Sequence, residues 1–180
     1  MYLILQDGVN PYLLENFMAV YLYIVRHGEA EPMTKADELR QLTEHGKWEA
    51  KRTALWLKTQ VASFDYVYAS PYIRAQQTKD IILARGIEAQ NEEVIDALTP
   101  EGDAKRVTDY VLANIDDNYK DAKKDTNIIC VSHMPLVSYF IGELTGYTPI
   151  MATAGVAKIK LDLDKWNGLL ETLLAPEQML

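Results

Sequence analysis

Three short polar clusters in the sequence contain residue types that often do chemistry in enzymes. They are residues 26–29 (RHGE), 70–74 (SPYIR) and 132–135 (SHMP), and together they hold two histidines and two arginines. Each cluster directly follows an apolar run that is typical of a buried β-strand. Because ligands bind at the carboxyl ends of the strands in an open parallel sheet, we expect the three clusters to meet in one pocket.

Arginine and histidine side chains together favour chemistry on a phosphate group. The guanidinium groups of Arg26 and Arg74 can bind phosphate oxygens, and their positive charge favours the neutral form of a nearby histidine. A neutral imidazole is a nucleophile toward phosphorus. We therefore predict that His27 is the nucleophile, that His133 stabilises the transferred charge, and that Gly28 lets the backbone approach the phosphate closely.

Buried strands must carry these clusters. Apolar, β-branched and aromatic runs at residues 19–25, 64–69 and 127–131 predict three of them. Two alternating segments, residues 156–163 and 169–174, flank a turn and predict an antiparallel hairpin at a sheet edge. Because strands alternate with helical segments, the predicted fold class is α/β, a three-layer sandwich with a mostly parallel central sheet.

Helical segments separate the predicted strands. Thr43 is a predicted N-cap, and Ser70, which precedes a proline, is predicted to be no more than the cap of a second helix. Further helices are predicted over residues 103–114 and 136–144, and Gly146 can end the last one. The side chains predicted to face the core are Trp48, Ala50, Ala54, Leu55 and Leu57, then Ala75, Thr78, Ile81 and Ile82, then Val107, Tyr110 and Val111.

The organisation predicted for the chain is one domain. The 180 residues contain no repeat or flexible linker, and single domains commonly have roughly 100–200 residues. We expect residues 1–17 to be an N-terminal extension ahead of a domain over residues 18–180, with Met18 as a possible biological start. Residues 86–101 are predicted to be irregular.

Composition excludes several classes of function. The net charge of −8 argues against a nucleic-acid partner, because such proteins concentrate basic charge. A single cysteine favours a reducing, cytoplasmic location, and Cys130 is predicted to be a core residue of a strand. No apolar run approaches the roughly 20 residues that span a bilayer. Motifs for zinc, ATP, dinucleotides and serine hydrolases are missing, and His45 is predicted to be solvated.

The three clusters resemble motifs of a known family. Residues 26–30 (RHGEA), 37–46 (D-x-x-R-x-L-T-x-x-G), 70–78 (S-P-x-x-R-A-x-x-T) and 131–133 (VSH) are similar, in this order, to the histidine phosphatase superfamily, or phosphoglycerate-mutase-like fold. Residues 98–103 (LTPEGD) resemble a segment of its SixA-type phosphohistidine phosphatases.

The resemblance implies a two-step mechanism without a metal or other cofactor. His27 would accept the phosphoryl group, and water would then hydrolyse the phosphohistidine enzyme. Larger members of the family have a cap domain that covers small substrates and supplies a carboxylic acid. Only residues 86–102 are available here, so we expect no large cap. The residues expected to bind substrate are Arg26, Gly28, Arg74, His133 and Met134, and the possible general acids are Glu92, Glu93, Asp96 and Glu101.

Three functions fit these observations. The first is a phosphatase that removes phosphate from a His-phosphorylated phosphotransfer protein of a signalling relay, which would be a transient partner. It suits a site without a clear acid, because an imidazole leaves more easily than an alkoxide. The alternatives are a broad-specificity small-molecule phosphomonoesterase of the same fold and a non-catalytic phosphohistidine-binding module. We expect a monomer with no nucleic-acid or membrane partner.

Overall fold

A computed structural model describes residues 18–34, 36–119 and 124–179. The predicted N-terminal extension, residues 1–17, lies outside the described residues. Within these ranges the strands are β1 (Val20–Arg26), β2 (Ser63–Phe64), β3 (Tyr66–Ala69), β4 (Glu88–Ala89), β5 (Glu92–Val94), β6 (Thr126–Ser132), β7 (Val156–Asp162) and β8 (Asn167–Leu174). The α-helices of the same ranges are α1 (Glu44–Gln60), α2 (Ile73–Leu83), α3 (Ala104–Tyr119) and α4 (Leu136–Thr145).

The main sheet has the strand order β5-β3-β6-β1-β7-β8. The first four strands of this order are parallel to one another, whereas β7 pairs antiparallel with both β1 and β8. Strands β2 and β4 form a separate short parallel pair. This topology confirms the predicted α/β fold with a mostly parallel sheet, an antiparallel edge hairpin and no large cap.

Successive side chains of the central strands point to opposite faces of the sheet, and each face carries its own hydrophobic core. In β1, Leu22 and Ile24 pack with side chains of α3 and α4, whereas Tyr23 and Val25 pack with side chains of α1 and α2. Strands buried on both faces are apolar throughout, which is why they were recognisable in the sequence. Cys130 is fully buried in β6, as predicted. None of the helices in the described ranges has the length and apolar character needed to cross a membrane.

Several local predictions were wrong. Trp48, Leu55 and Tyr110 are exposed rather than buried. The face of α1 that packs on the sheet consists mostly of small residues, and Tyr110 is at the solvent-facing side of α3. Residues 86–101 are not irregular throughout, since β5 extends the main sheet beside β3. All three residues of β5 are exposed and two of them are glutamates, so no apolar run marked this strand.

Helix boundaries also depart from the prediction in two places. The α3 helix continues to Tyr119 rather than stopping at Asn114. The α2 helix begins at Ile73 with Tyr72 as its N-cap, so Ser70 is not the cap. The two other predicted boundary signals are confirmed: Thr43 Oγ1 accepts the Gly46 N–H (3.0 Å), and Gly146 ends α4 in the left-handed conformation.

The loop after β1 is fixed to α1 by very close backbone packing. A Cβ atom on Gly28 would lie 2.4 Å from the carbonyl oxygen of Gly46, and one on Gly46 would lie 2.0 Å from the carbonyl oxygen of Glu29. Glu49, which is buried, adds a hydrogen bond from the Glu29 N–H to its carboxylate (2.6 Å). The same carboxylate accepts the hydroxyl of Thr153 (2.5 Å), which links this loop to the segment before β7.

This packing predicts that Gly46→Ala destabilises the protein. Alanine in a helix is normally more stable than glycine by about 1 kcal/mol, so the added Cβ would raise the free energy of unfolding in the absence of a clash. Because the clash is with backbone, we expect a decrease of about 1–3 kcal/mol instead. Urea denaturation measures this change, with the exposed residue of the same helix, Lys51→Ala, as the control. A Gly46→Ala protein more stable than the wild type would contradict the packing.

Candidate active site

The parallel strands bring the three predicted clusters to one edge of the sheet. Arg26 at the end of β1 is in register with Ser132 at the end of β6, and Ala69 at the end of β3 is in register with Val131. His27 and His133 each follow one of these strand ends, and their rings lie 4.9 Å apart between centroids. The predicted convergence is therefore present in the structure.

His27 is held in one tautomer. Its Nδ1 lies 2.7 Å from the carbonyl oxygen of Gly28, and a carbonyl can only accept, so Nδ1 carries the proton. The lone pair of the ring then lies on Nε2, which accepts the Nε–H of Arg74 at 3.2 Å. The ring is buried, with only 8% of the residue exposed. Nε2 is therefore the unprotonated nitrogen of the ring.

Arg74 connects the nucleophile to a carboxylate that was not assigned a role from the sequence. Its guanidinium donates to the side-chain oxygen Oδ2 of Asp37 (2.9 Å) and to the Asp37 carbonyl (2.5 Å). Arg40 donates to the other carboxylate oxygen (2.7 Å). Slight burial of Asp37 opposes its ionisation, but the two arginines outweigh it and hold the pKa of the carboxyl below its usual value. Asp37 is thus an ionised partner that orients Arg74.

His133 is fixed by a residue whose function the sequence analysis missed. The Nε2 atom of His133 forms a hydrogen bond with Ser70 Oγ (2.7 Å), and both residues are buried. Tyr72 closes the other side, with its ring 5.1 Å from the His133 ring and 5.0 Å from the Arg74 guanidinium. The serine was predicted only as a helix cap because the Ser-Pro pair is a strong capping signal, and no sequence pattern marks a serine as the partner of a distant histidine.

Two nitrogen atoms in this site have no hydrogen-bond partner. They are Nε of Arg26 and Nδ1 of His133, and they are the unpaired atoms among the buried side-chain nitrogens and oxygens of the described residues. Arg26 is positioned by a hydrogen bond from its Nη1 to the Met151 carbonyl (2.7 Å). Arg26 Nε is a donor, and His133 Nδ1 is one in the tautomer whose Nε2 accepts the Ser70 hydroxyl. A buried unpaired donor is costly, so each of these atoms is suited to donate to an anion bound in the site.

Burial keeps both histidines neutral. Desolvation, reinforced by the charges of Arg74, Arg26 and Arg40, lowers the pKa of His27 to about 3, although the hydrogen bond to Gly28 opposes this shift. Desolvation and the neighbouring His27 and Arg74 lower the pKa of His133 to about 2. A neutral His27 retains the lone pair that a nucleophile needs at physiological pH.

Other predicted site residues have different environments. Gly28 makes a close approach to the backbone of Gly46, and its N–H donates to Thr78 Oγ1 (3.1 Å). Met134 is half-buried and packs against the core beneath α3 and α4. His45 is exposed as predicted, although it has acidic neighbours, with Nδ1 3.6 Å from a Glu29 carboxylate oxygen.

Two of the carboxylates considered as general acids are engaged on β5, away from the histidines. Glu92 is paired with Lys79 (3.0 Å), and Glu93 accepts the hydroxyl of Tyr110 (2.6 Å), both on β5. Asp96 and Glu101 are exposed in the segment that follows. Within the described ranges, no group of three or more His, Cys, Asp or Glu side chains is arranged to hold a metal ion.

The two buried histidines predict a loss of stability on mild acidification. Unfolding restores a pKa of about 6.5, so below that pH the unfolded chain binds protons that the folded chain does not. Each histidine therefore lowers the free energy of unfolding by up to about 1.4 kcal/mol for every pH unit between about 6.5 and its folded pKa. Urea titrations at pH 7 and pH 5 measure the slope, which His133→Asn should reduce. An equal dependence of the free energy of unfolding on pH in the wild type and in His133→Asn would contradict a lowered pKa for His133.

Comparisons with known proteins agree with the geometry of this site. A profile described as histidine phosphatase superfamily (branch 1) matches residues 22–99. Phosphohistidine phosphatase SixA of Escherichia coli is 33% identical over 157 residues, covering 86% of this chain and 93% of the relative. The SixA homologue of Haemophilus influenzae is 36% identical over 132 residues, covering 69% and 77%.

A solved structure gives the same result for the fold. The structure of the protein histidine phosphatase SixA complexed with tungstate has a TM-score of 0.78 to this one at 31% identity, covering 87% of this chain and 97% of that chain. The extent and identity of these matches show that the chain belongs to the histidine phosphatase superfamily.

Proposed function

We propose that this phosphatase removes phosphate from a phosphohistidine side chain of a phosphotransfer protein, through a phosphohistidine intermediate on His27. The observation that carries the proposal is the state of His27, whose Nδ1 proton is held by the Gly28 carbonyl while its Nε2 lone pair faces Arg74. A module that only binds phosphohistidine does not need an unprotonated nucleophilic nitrogen at that position.

In the first step, the lone pair of His27 Nε2 forms a bond to phosphorus. The phosphorus–nitrogen bond of the substrate breaks at the same centre, and the leaving imidazole keeps the bonding electrons and takes a proton from water. Arg74 exchanges its hydrogen bond with Nε2 for one with a phosphate oxygen. The unpaired nitrogens of Arg26 and His133 are available to donate hydrogen bonds to the other phosphate oxygens. Preorganised donors contribute most to catalysis where negative charge develops in the transition state.

In the second step, water attacks the phosphorus of phosphorylated His27. The new phosphorus–oxygen bond forms as the bond to Nε2 breaks, and the electron pair returns to the ring. The attacking water gives one proton to the solvent, which replaces the proton that the leaving imidazole took in the first step, and inorganic phosphate leaves. Asp37 remains paired with Arg74 and Arg40, so it keeps Arg74 aligned rather than acting on the reacting atoms.

The preference for phosphohistidine rests on the leaving group. Departure of an alkoxide needs a proton, and a well-placed acid typically contributes ~10²–10⁴-fold in rate. Glu92 and Glu93 are engaged on β5 with Lys79 and Tyr110, and β5 itself belongs to the main sheet rather than to a cap. A leaving imidazole is less dependent on such an acid. The SixA relatives, which are named as phosphohistidine phosphatases, support the same substrate class.

The nucleophile can be tested directly. His27→Ala should lower kcat by at least about 10³-fold and abolish the acid-labile phosphoenzyme, because it removes the attacking nitrogen. The measurements are phosphate release and trapping of ³²P-labelled enzyme. The exposed histidine His45, changed to alanine, is the matched control and should retain both signals. A labelled, active His27→Ala protein would show that another residue is the nucleophile.

Substrate preference separates the proposal from a small-molecule phosphomonoesterase. We expect kcat/KM for a His-phosphorylated phosphotransfer domain to exceed that for phosphoglycerate by about 10²-fold or more, with p-nitrophenyl phosphate between them because its leaving group is better. Phosphate release from the three substrates is compared under one buffer condition. Equal efficiencies on phosphoglycerate and on the phosphoprotein would favour the small-molecule alternative, and phosphoprotein binding without turnover would favour the binding module.

A further inference from the structure

The phosphate site has a cationic floor and an acidic rim. The floor is formed by the buried guanidinium of Arg74 and by Arg26. The rim is formed by two loops, residues 29–40, of which the structure describes 29–34 and 36–40, and residues 98–103. The first loop has four acidic and two basic side chains, and the second has two acidic side chains and no basic one.

Contacts place both acidic loops beside the histidines. Glu38 is exposed and follows Asp37, whose carboxylate binds Arg74 directly. Glu101 is exposed in the second loop, which is tied to the end of β6 by a hydrogen bond from Ser132 Oγ to the Leu98 carbonyl (2.7 Å).

Tyr72 lies between the two loops and contacts both His133 and Arg74. Slight burial raises its pKa, and the negative charges of Glu101, Asp37 and Glu38 raise it further. Both acidic loops therefore act electrostatically on the same aromatic ring at the mouth of the site.

Exposed apolar side chains accompany the acidic ones. Leu39 is 49% exposed and directly follows Glu38 on the first loop. Ile150 is 89% exposed and precedes Met151, whose carbonyl holds Arg26. Apolar side chains with this exposure on both sides of a charged site are typical of a surface that contacts another protein.

We propose that this rim, defined by Glu38, Leu39, Glu101 and Ile150, docks a protein segment in which lysine or arginine residues flank the phosphohistidine. The inference rests on the proposed function and specifies the sequence context of its substrate. The acidic rim attracts the flanking basic side chains while the arginines on the floor bind the phosphoryl group. The same rim repels small anionic metabolites, which carry negative charge beyond their phosphate.

Two synthetic phosphohistidine peptides test the proposal. They have the same length and apolar residues, but one has lysines flanking the phosphohistidine and the other has glutamates. For the wild-type enzyme at low ionic strength, we expect kcat/KM for the lysine peptide to be about 10-fold higher or more, since each of two surface charge pairs contributes a few-fold. This ratio should decrease as salt is added, because exposed charges are screened.

A charge-reversed enzyme provides the matched comparison. The double variant Glu38→Lys/Glu101→Lys should reduce the peptide ratio to about 2-fold or invert it. The control, Glu88→Lys/Asp164→Lys, makes the same change of net charge with exposed residues at the opposite edge of the sheet, and it should keep the wild-type ratio. Turnover of p-nitrophenyl phosphate by each variant verifies that it is folded.

The apolar part of the rim is tested separately. Ile150→Ser, which removes the apolar contact without adding charge, should raise KM for the lysine peptide several-fold without changing turnover of phosphoramidate, a small molecule with a phosphorus–nitrogen bond. Leu169→Ser, at an exposed leucine on β8, is the control.

The outcomes distinguish this inference from the function on which it rests. Equal turnover of the two peptides by the wild-type enzyme would overturn the proposed docking surface. A peptide ratio that both double variants shift equally would also overturn it. Neither result would contradict the proposed phosphohistidine phosphatase activity. Turnover of p-nitrophenyl phosphate but of neither peptide nor phosphoramidate would overturn the proposed function, and the docking surface with it.

Discussion

The active site depends on the way the backbone of His27 continues the sheet. The His27 N–H donates to the Ser132 carbonyl (2.9 Å), and the His27 carbonyl accepts from the Ala154 N–H (3.0 Å). These bonds extend the pairing of β1 by one residue on both sides, so His27 is held as firmly as a residue of a central strand. A side chain placed in this way needs little reorganisation before it attacks, which is a large part of what an enzyme site provides.

The electrostatics of the site follow from this placement. A residue at the end of a central strand lies between the layers of the sandwich, where charge is poorly solvated, and the histidines are therefore neutral. The charge that remains is carried by arginines, which stay protonated in such surroundings. Asp37 balances Arg74 and Arg40. A bound phosphoryl group would bring negative charge to the unpaired Nε–H of Arg26.

The sequence was sufficient to predict the central architecture and the four residues that meet in the site. Strands β1, β3 and β6 have apolar centres, and each polar cluster begins at or directly after the last residue of its strand. Both the sheet and the convergence of the histidines therefore followed from the pattern. The same reasoning missed β5, because an exposed edge strand of glutamates has no apolar signal.

The sequence did not reveal the roles of Ser70 and Glu49 for a different reason. Ser70 and Glu49 act through distant partners, His133 and the loop after β1, and a contact across many residues has no signature in a single sequence. The close contact of Gly28 with the backbone of Gly46 was also missed, because it joins two glycines in different elements.

The location of Cys130 has a consequence for the chemical environment in which this phosphatase can work. Phosphatases that use a thiolate nucleophile lose activity when peroxide converts that sulfur to sulfenic acid, because a reactive thiolate is also an oxidisable one. In the proposed mechanism the attacking atom is an imidazole nitrogen. The sole cysteine of the chain is buried inside β6, where burial raises the pKa of its thiol. Oxidative stress that inactivates thiol-dependent phosphatases would therefore not inactivate this enzyme by the same route.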